Sequence, residues 1–509
     1  MKKYNIYNKV RKVGVAAALL SLSLTSCNLD QVPYSEYTSE DFAKDDESVN
    51  TLLMGCYNGL QAVMEYEWAM TELRSDNARM YGNNSTSNTT KLVEQLDQST
   101  IGADHEWVTT YWNACYATID RVNNVLSRLD VVTDENLRNQ YEGEALFLRS
   151  LEYFNLVRLW GPVFIVTSKT PSDVARYMQR STVDEVYALI EGDLEKVVDN
   201  EMLPESFTGS DMGRADLTAA KALLAKVYAT HYKLGDAKYA KAADLCLEVL
   251  QSSRVGNPTS GSDLTPFADI FDINKEMSKE IIFAVRYKSG NIGLGSPFGN
   301  MFAPINNGAN VIIGTSNNYN TPSDNIIAAY IAEGDEIRFN TNIAQNYYNA
   351  VQGKYIDATY CKKYTYPVTK NFDGESDWPV IRVGDIALLY AELLNEINGP
   401  NTDALKYLNM IRERAGITPY AANELSDKYD FRQAVRKERR MELAFENQRW
   451  FDLLRWEDAT ATVNNYFSVE AFYGGYSYTV NPISDWQTFL PIPISVLNIN
   501  SEVAQNVGY

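Results

Sequence analysis

The chain has 509 residues, 66 of them acidic against 46 basic, for a net charge of −20, and only two histidines. That acidity argues against a nucleic-acid ligand, whose phosphates it would repel. After residue 26 there is no apolar run of membrane length, so the remainder is expected to bury a large core of its own.

The first residues stand apart. Lys2, Lys3, Lys9, Arg11 and Lys12 precede an apolar run from Val13 to Leu24, and no acid occurs before Asp30. Basic, then apolar, then small residues is the order of a bacterial secretory signal over 1–26. The run ends Leu24-Thr25-Ser26-Cys27, which resembles the lipobox of bacterial lipoproteins. On that resemblance Cys27 becomes the first mature residue and carries the lipid anchor. Removing 1–26 leaves 41 basic and 66 acidic residues, a charge of −25. Such a charge is compatible with neutral or cationic ligands.

Helical periodicity dominates two stretches. Ile119, Val122, Leu126 and Leu129 form one apolar stripe, and Phe147, Leu151, Phe154 and Val157 continue the pattern. Val186, Leu189, Ile190, Leu194 and Val197 form another, followed by Ala220, Leu223, Leu224, Val227 and Tyr228. Between 255 and 380 the chain turns to Gly, Asn, Ser, Pro and Tyr, with short apolar runs such as Ile281 to Val285, which predicts loops and short strands. The pattern returns with Ile386, Leu389, Tyr390, Leu393 and Leu394, then Ala404, Leu408, Ile411 and Ala415. Asn398-Gly399-Pro400 supplies the stop between these two helices. Residues 457–490, with Tyr473-Gly474-Gly475-Tyr476, read as loop again. The fold class is therefore mainly α: a stacked helix–turn–helix, tetratricopeptide-like scaffold, mainly 40–250 and 381–456. An irregular loop-rich lobe with short strands covers mainly 255–380 and 457–490. No strict repeat of about 34 residues accompanies it.

Cys56, Cys115, Cys246 and Cys361 are far apart, without CxxC spacing, and read as buried free thiols. His105 and His231 have no ligand-spaced neighbours, so neither a zinc site nor a histidine triad is expected, and no cofactor. Glu438, Glu442 and Glu446 lie four apart, with Glu446 in reach of Arg449 and Asp452 of Arg455. Paired carboxylates admit a glycosidase reading, but that needs two acids set across a cleft. The preferred reading is an ion-pair network that holds helices in place.

Five segments carry a family resemblance. They are Trp112 to Asn124; Gly143 to Arg149 with Tyr153-Phe154-Asn155-Leu156 and Trp160-Gly161-Pro162-Val163; Arg382 to Glu392; Glu438 to Glu446 with Arg449 to Trp456; and Leu490-Pro491-Ile492-Pro493 with the C-terminal Gln505 to Tyr509. In this order they resemble the SusD/RagB family of nutrient-binding outer-membrane lipoproteins, with Val507 where the family's ending has Pro. The resemblance spans 27–509 and implies a helical body lidding a SusC-like TonB-dependent transporter. It implies an oligosaccharide ligand, an outer-membrane location through the lipid anchor, and no catalysis.

A sugar receptor needs flat aromatics for ring faces and amides or charges for hydroxyls. The segment Asp76 to Asn84 offers both. Arg79, Tyr81, Asn83 and Asn84 are the ligand-binding candidates there, whereas Asp76 and Asn77 read better as turn or cap residues. In the lobe, Phe302, Tyr319 and Trp378, with Phe298, are candidate stacking platforms, each also open to a core reading. Trp107, Trp112, Trp160, Trp450 and Trp456 lie in helical contexts and read as scaffold. An oligopeptide receptor, a surface hydrolase and a ligand-free surface protein remain as alternatives.

Overall fold

The computed structural model describes residues 43–80, 87–473 and 481–509. The signal segment, Cys27, Tyr81, Asn83, Asn84 and the Gly474-Gly475 turn lie outside the described residues. The chain divides into Met1–Lys44 and Asp45–Tyr509, and the second unit holds the described helices and strands.

Its helices include α1 (Asp46–Met70), α2 (Asn88–Asp97), α3 (Glu106–Leu126), α4 (Glu135–Trp160), α5 (Val183–Asp199), α6 (Leu217–His231) and α7 (Ala237–Gln251). Further along are α8 (Phe298–Phe302), α9 (Asp324–Glu333), α10 (Glu336–Asn342), α11 (Val383–Asn398), α12 (Thr402–Arg414), α13 (Lys428–Glu442), α14 (Arg449–Arg455) and α15 (Ala459–Tyr473). Successive helices pack in series: α1 on α3, α3 on α4, α4 on α5, α5 on α6, α6 on α7, α7 on α11, and α11 on α12 and α13. This is the tetratricopeptide-like stacking expected from the apolar stripes. Local signals set the boundaries. Thr182 and Glu185 form a capping box at the start of α5, and α11 stops at Gly399, whose φ of 75° suits glycine. Where α1 crosses α3, a Cβ on Gly59 would lie 2.6 Å from Thr118 Oγ1.

The described strands form three antiparallel pairs: β1 (Ala78–Arg79) with β3 (Thr321–Pro322), β2 (Ile281–Val285) with β6 (Trp378–Arg382), and β4 (Ile343–Asn349) with β5 (Lys354–Cys361). One expectation fails. Within 457–490, residues 459–473 form helix α15, because Ala459, Val463, Tyr466 and Phe467 recur at helical spacing and are buried. The Asn and Tyr content had masked that spacing.

The four described cysteines are free and buried. Both histidines are structural. His105 caps α3, its Nδ1 accepting from Val108 N at 3.3 Å. His231 stacks on Tyr187 at 4.1 Å and bonds Glu191 at 2.8 Å.

Glu152, on α4, is fully buried, with the Cys115 thiol as its hydrogen-bonding neighbour and no nitrogen or oxygen partner on either carboxyl oxygen. Burial pushes its pKa from 4.5 up to about 8, opposed by the hydrogen bond of the Cys115 thiol and aided by the nearby charge of Glu67. An unfolded glutamate ionises near 4.5, so between that pH and about 8 the folded chain keeps a proton that the unfolded chain has lost. Stability therefore falls as pH rises through this window. Glu152→Gln is expected to match the wild type near pH 4.5 and to exceed it at pH 8 by on the order of a few kcal/mol. Denaturant midpoints across that range check it; equal pH slopes for the two proteins would refute it.

Candidate ligand-binding face

A continuous stack of aromatic rings runs from the core of the lobe to the surface. At its base Trp378 stacks on Tyr364 with centroids 4.3 Å apart, and Phe298 sits 4.5 Å from Trp378. Phe302 lies 5.8 Å from Phe298 and 5.5 Å from Trp68 of α1. Trp68 stacks on Tyr319 at 5.5 Å and meets Trp107 of α3 edge-on at 6.1 Å. Trp107 also contacts Tyr319 at 5.9 Å and Tyr66 at 5.5 Å. Edge-to-face and offset contacts of this kind fix ring orientation.

This arrangement sorts the predicted aromatics. Phe302 is 0% and Trp378 1% exposed, so neither offers a ring face to a ligand. Both belong to the core beneath the platform, because the lobe folds back on α1 and covers them. Tyr319, at 6% exposure, sits at the upper edge of the stack. The half-buried rings are Tyr66, which the sequence did not single out, and Trp107, which it placed in the scaffold. Trp107 follows the N-cap His105 by two residues, and its place at a helix entrance was the available signal.

Asparagines shape the loop that carries Tyr319. Asn306, Asn318 and Asn320 adopt φ of 59°, 55° and 54°, a left-handed region that asparagine tolerates better than most residues. Asn307 donates to Pro304 O and Ser316 Oγ and accepts from Val311 N and Ile312 N. Asn300 donates to Ile313 O and Thr315 O. Most of the loop's amides are therefore spent on its own turns. Asn320 differs: it is fully buried, and neither its Oδ1 nor its Nδ2 has a partner. It stands one residue before Thr321, which pairs with Arg79 across the β1–β3 ladder.

Below this face, β1 is clamped from behind. Asp76 accepts a bidentate pair from Arg449 at 2.7 and 2.9 Å and lies 3.1 Å from Arg440. Burial alone would raise the Asp76 pKa, but Arg440 and Arg449 hold it at about 2. Asn77 donates to Glu72 at 2.9 Å and accepts from Arg440 at 2.8 Å. Asp76 and Asn77 are thus anchors, through contacts with Arg440 and Arg449 that the turn or cap reading of the sequence did not include. Arg79 follows them into the ladder and lies 3.4 Å from Asp324 at the start of α9. The residues that continue toward Tyr81, Asn83 and Asn84 lie outside the described segments.

The acids of the 438–455 segment are engaged. Glu438 meets Arg338 at 2.7 Å and Arg412 at 3.0 Å; Asp452 meets Arg439 and Arg455, each at 2.9 Å. Glu442 is shared by Arg338, Arg382 and Arg414. One expected pair is absent: α13 ends at Glu442, so Glu446 turns away to Arg382 and Lys363, and Arg449 goes to Asp76.

The SusD family profile matches residues 307–509, and a second profile, described as starch-binding associating with outer membrane, matches residues 28–229. The chain belongs to the SusD/RagB family. Among similar SusD-like proteins, one from Formosa agariphila is 26% identical, covering 98% of this chain and 100% of its own. Another, from Bacteroides ovatus, is 27% identical, covering 89% of this chain and 83% of its own. A solved laminarin binding SusD-like protein superposes with a TM-score of 0.74 at 22% identity, over 92% of this chain and 100% of that one. Surface glycan-binding protein A from Bacteroides thetaiotaomicron, in complex with laminarihexaose, gives 0.74 at 21% identity, over 91% and 99%. At these identities the two structures establish the SusD-like fold.

The two ends of the aromatic stack should respond differently to truncation. Phe302→Ala is expected to cost about 3–5 kcal/mol. Trp107→Ala, whose ring is already partly in water, should cost less than half as much. Denaturant unfolding of both variants checks this, and equal losses would contradict the division into core and platform.

Proposed function

We propose that this protein captures oligosaccharides at the cell surface and passes them to a SusC-like TonB-dependent transporter. The observation that carries the reading is the pair of half-buried rings Tyr66 and Trp107, in contact with each other and held from below by the buried Tyr319. Sugar rings present apolar faces edged by hydroxyls; rigid aromatic planes and free amides complement both. Arg79 of β1 and the sequence candidates Tyr81, Asn83 and Asn84 are further ligand contacts in this reading. The laminarin and laminarihexaose ligands named for its structural neighbours support a glycan rather than a peptide. The mature charge of −25 favours a neutral glycan over an acidic one.

Cys27 supplies the lipid anchor in this reading, and the profile described as associating with outer membrane supports that location. The chain binds and delivers without turnover. Its clustered acids are occupied by arginines and lysines, which suits them to structure rather than to proton transfer.

The decisive experiment is calorimetry and affinity electrophoresis of residues 28–509 against neutral polysaccharides, acidic polysaccharides and peptides. A neutral glycan is expected to bind, and Trp107→Ala and Tyr81→Ala should each weaken it at least about tenfold, the scale of losing one stacking ring. Binding restricted to peptides would replace the ligand class. The anchor is tested separately: Cys27→Ser should move the protein from the membrane to the soluble fraction, and continued membrane retention would reject the lipid attachment.

A further inference from the structure

A cavity of about 550 Å3 opens between the C-terminal end of α4, helices α5 and α6, helices α14 and α15, and residues 485–489. It is lined by elements other than those that form the aromatic rim. Its walls include Val157, Tyr187, Phe451, Leu454 and Phe489, so its body is apolar. The volume falls in the range of small-molecule sites.

One polar group in this wall is unlike the rest. Arg158 lies between two rings, with Cζ 3.7 Å from the Phe154 centroid and 3.4 Å from the Phe451 centroid. Its Nε donates to Phe154 O at 2.9 Å and its Nη2 to Asn155 Oδ1 at 2.7 Å. Nη1 makes no hydrogen bond among the described residues, and the carboxylates that act on the guanidinium, Glu67 and Asp385, do so from beyond ion-pair distance. The other cationic or basic side chains lining the cavity are satisfied. Arg455 is held by Glu392 and Asp452, His231 by Glu191, and Lys233 by Glu457 at 2.7 Å. The lining acids Glu457 and Asp485 are exposed, where solvent and salt screen them. Held by two rings and two hydrogen bonds, the Arg158 guanidinium is preorganised, and its remaining donors suit a planar anion.

We propose that this cavity is a second ligand site, which takes a small organic carboxylate with an apolar body, the carboxylate docking on Arg158. The glycan-binding rim plays no part in it, so the two sites are tested independently. The probe is 2-naphthoate, compared with its neutral isostere 2-naphthamide, by calorimetry on the full chain in detergent. Naphthoate is expected to bind, with the amide at least tenfold weaker and Arg158→Gln weakening naphthoate at least tenfold. Should Arg158→Gln fail to fold, Thr460→Trp serves instead. Thr460 lines the cavity, and an indole there should abolish naphthoate binding. Absence of naphthoate binding to the wild type, equal affinity for acid and amide, or full naphthoate binding by Thr460→Trp would each overturn the proposal. Glycan affinity, measured in parallel, should be unchanged by saturating naphthoate; competition between them would also overturn it, by placing both ligands in one site.

Discussion

The buried carboxylate of Glu442 is the point from which the rest of the structure takes its geometry. It receives Arg338 from α10, Arg382 from the junction of β6 and α11, and Arg414 from the end of α12. Burial alone would raise its pKa, yet the three guanidinium groups hold it at about 2. Three elements distant in sequence are thereby tied to the last turn of α13. A buried pair of this kind adds little net stability compared with apolar packing, but removing one partner costs about 3–5 kcal/mol. Its contribution is position. Gly384 shows how tightly the space is used: a Cβ there would lie 2.6 Å from Arg382 Nη1 and 2.9 Å from Glu442 Oε1.

From this centre the constraint passes outward to the candidate binding face by two routes. Just past α13, the chain reverses through Phe445 and Asn447, both at φ of 65°. That reversal points Glu446 at Arg382 and Lys363, and Phe445 O accepts from Tyr364. Tyr364 is the ring on which Trp378 stacks, so the base of the aromatic column is referenced to the ion cluster. The second route runs through Arg440 and Arg449 to Asp76, and hence to β1 and its ladder partner Thr321. Both sides of the candidate ligand face are registered to the same charged segment.

Much of this was legible in the sequence, and the unread part has a physical cause. Helices α3 to α6, α11 and α12 follow apolar stripes that local spacing reveals, and the density of charge in 438–455 pointed to an ion-pair network. The partners were another matter. Glu446 pairs with Arg382 only because two residues adopt positive φ, and Arg449 reaches Asp76 across the whole chain. Neither follows from i to i+3 spacing. Phe302, Trp378, Tyr319 and Trp107 are alike as residue types, and only the docking of the lobe on α1 decides which of them keep a face near water. Helix α15 had the right spacing at Val463, Tyr466 and Phe467, but its Asn and Tyr content outweighed that signal. Arg158 could not have been singled out from sequence, since being unpaired is a property of its surroundings.

The aromatic column also explains why a platform at the surface needs so many rings beneath it. A lone exposed tryptophan samples several rotamers, and ordering it on binding costs about 0.5–1.5 kcal/mol, which is taken from affinity. Here Trp107 is held edge-on by Tyr66, Trp68 and Tyr319, so its orientation is set before a ligand arrives. Trp68 is itself fixed, its Nε1 donating to Glu65 O at 2.9 Å while Phe302 closes on its edge. Phe302 in turn rests on Phe298 and Trp378. Each ring removes freedom from the one above it, and the last partner in the series is the ion cluster under Tyr364. The two candidates that prove to be core rings, Phe302 and Trp378, therefore support the proposed platform through the rigidity they confer on rings they do not resemble in exposure.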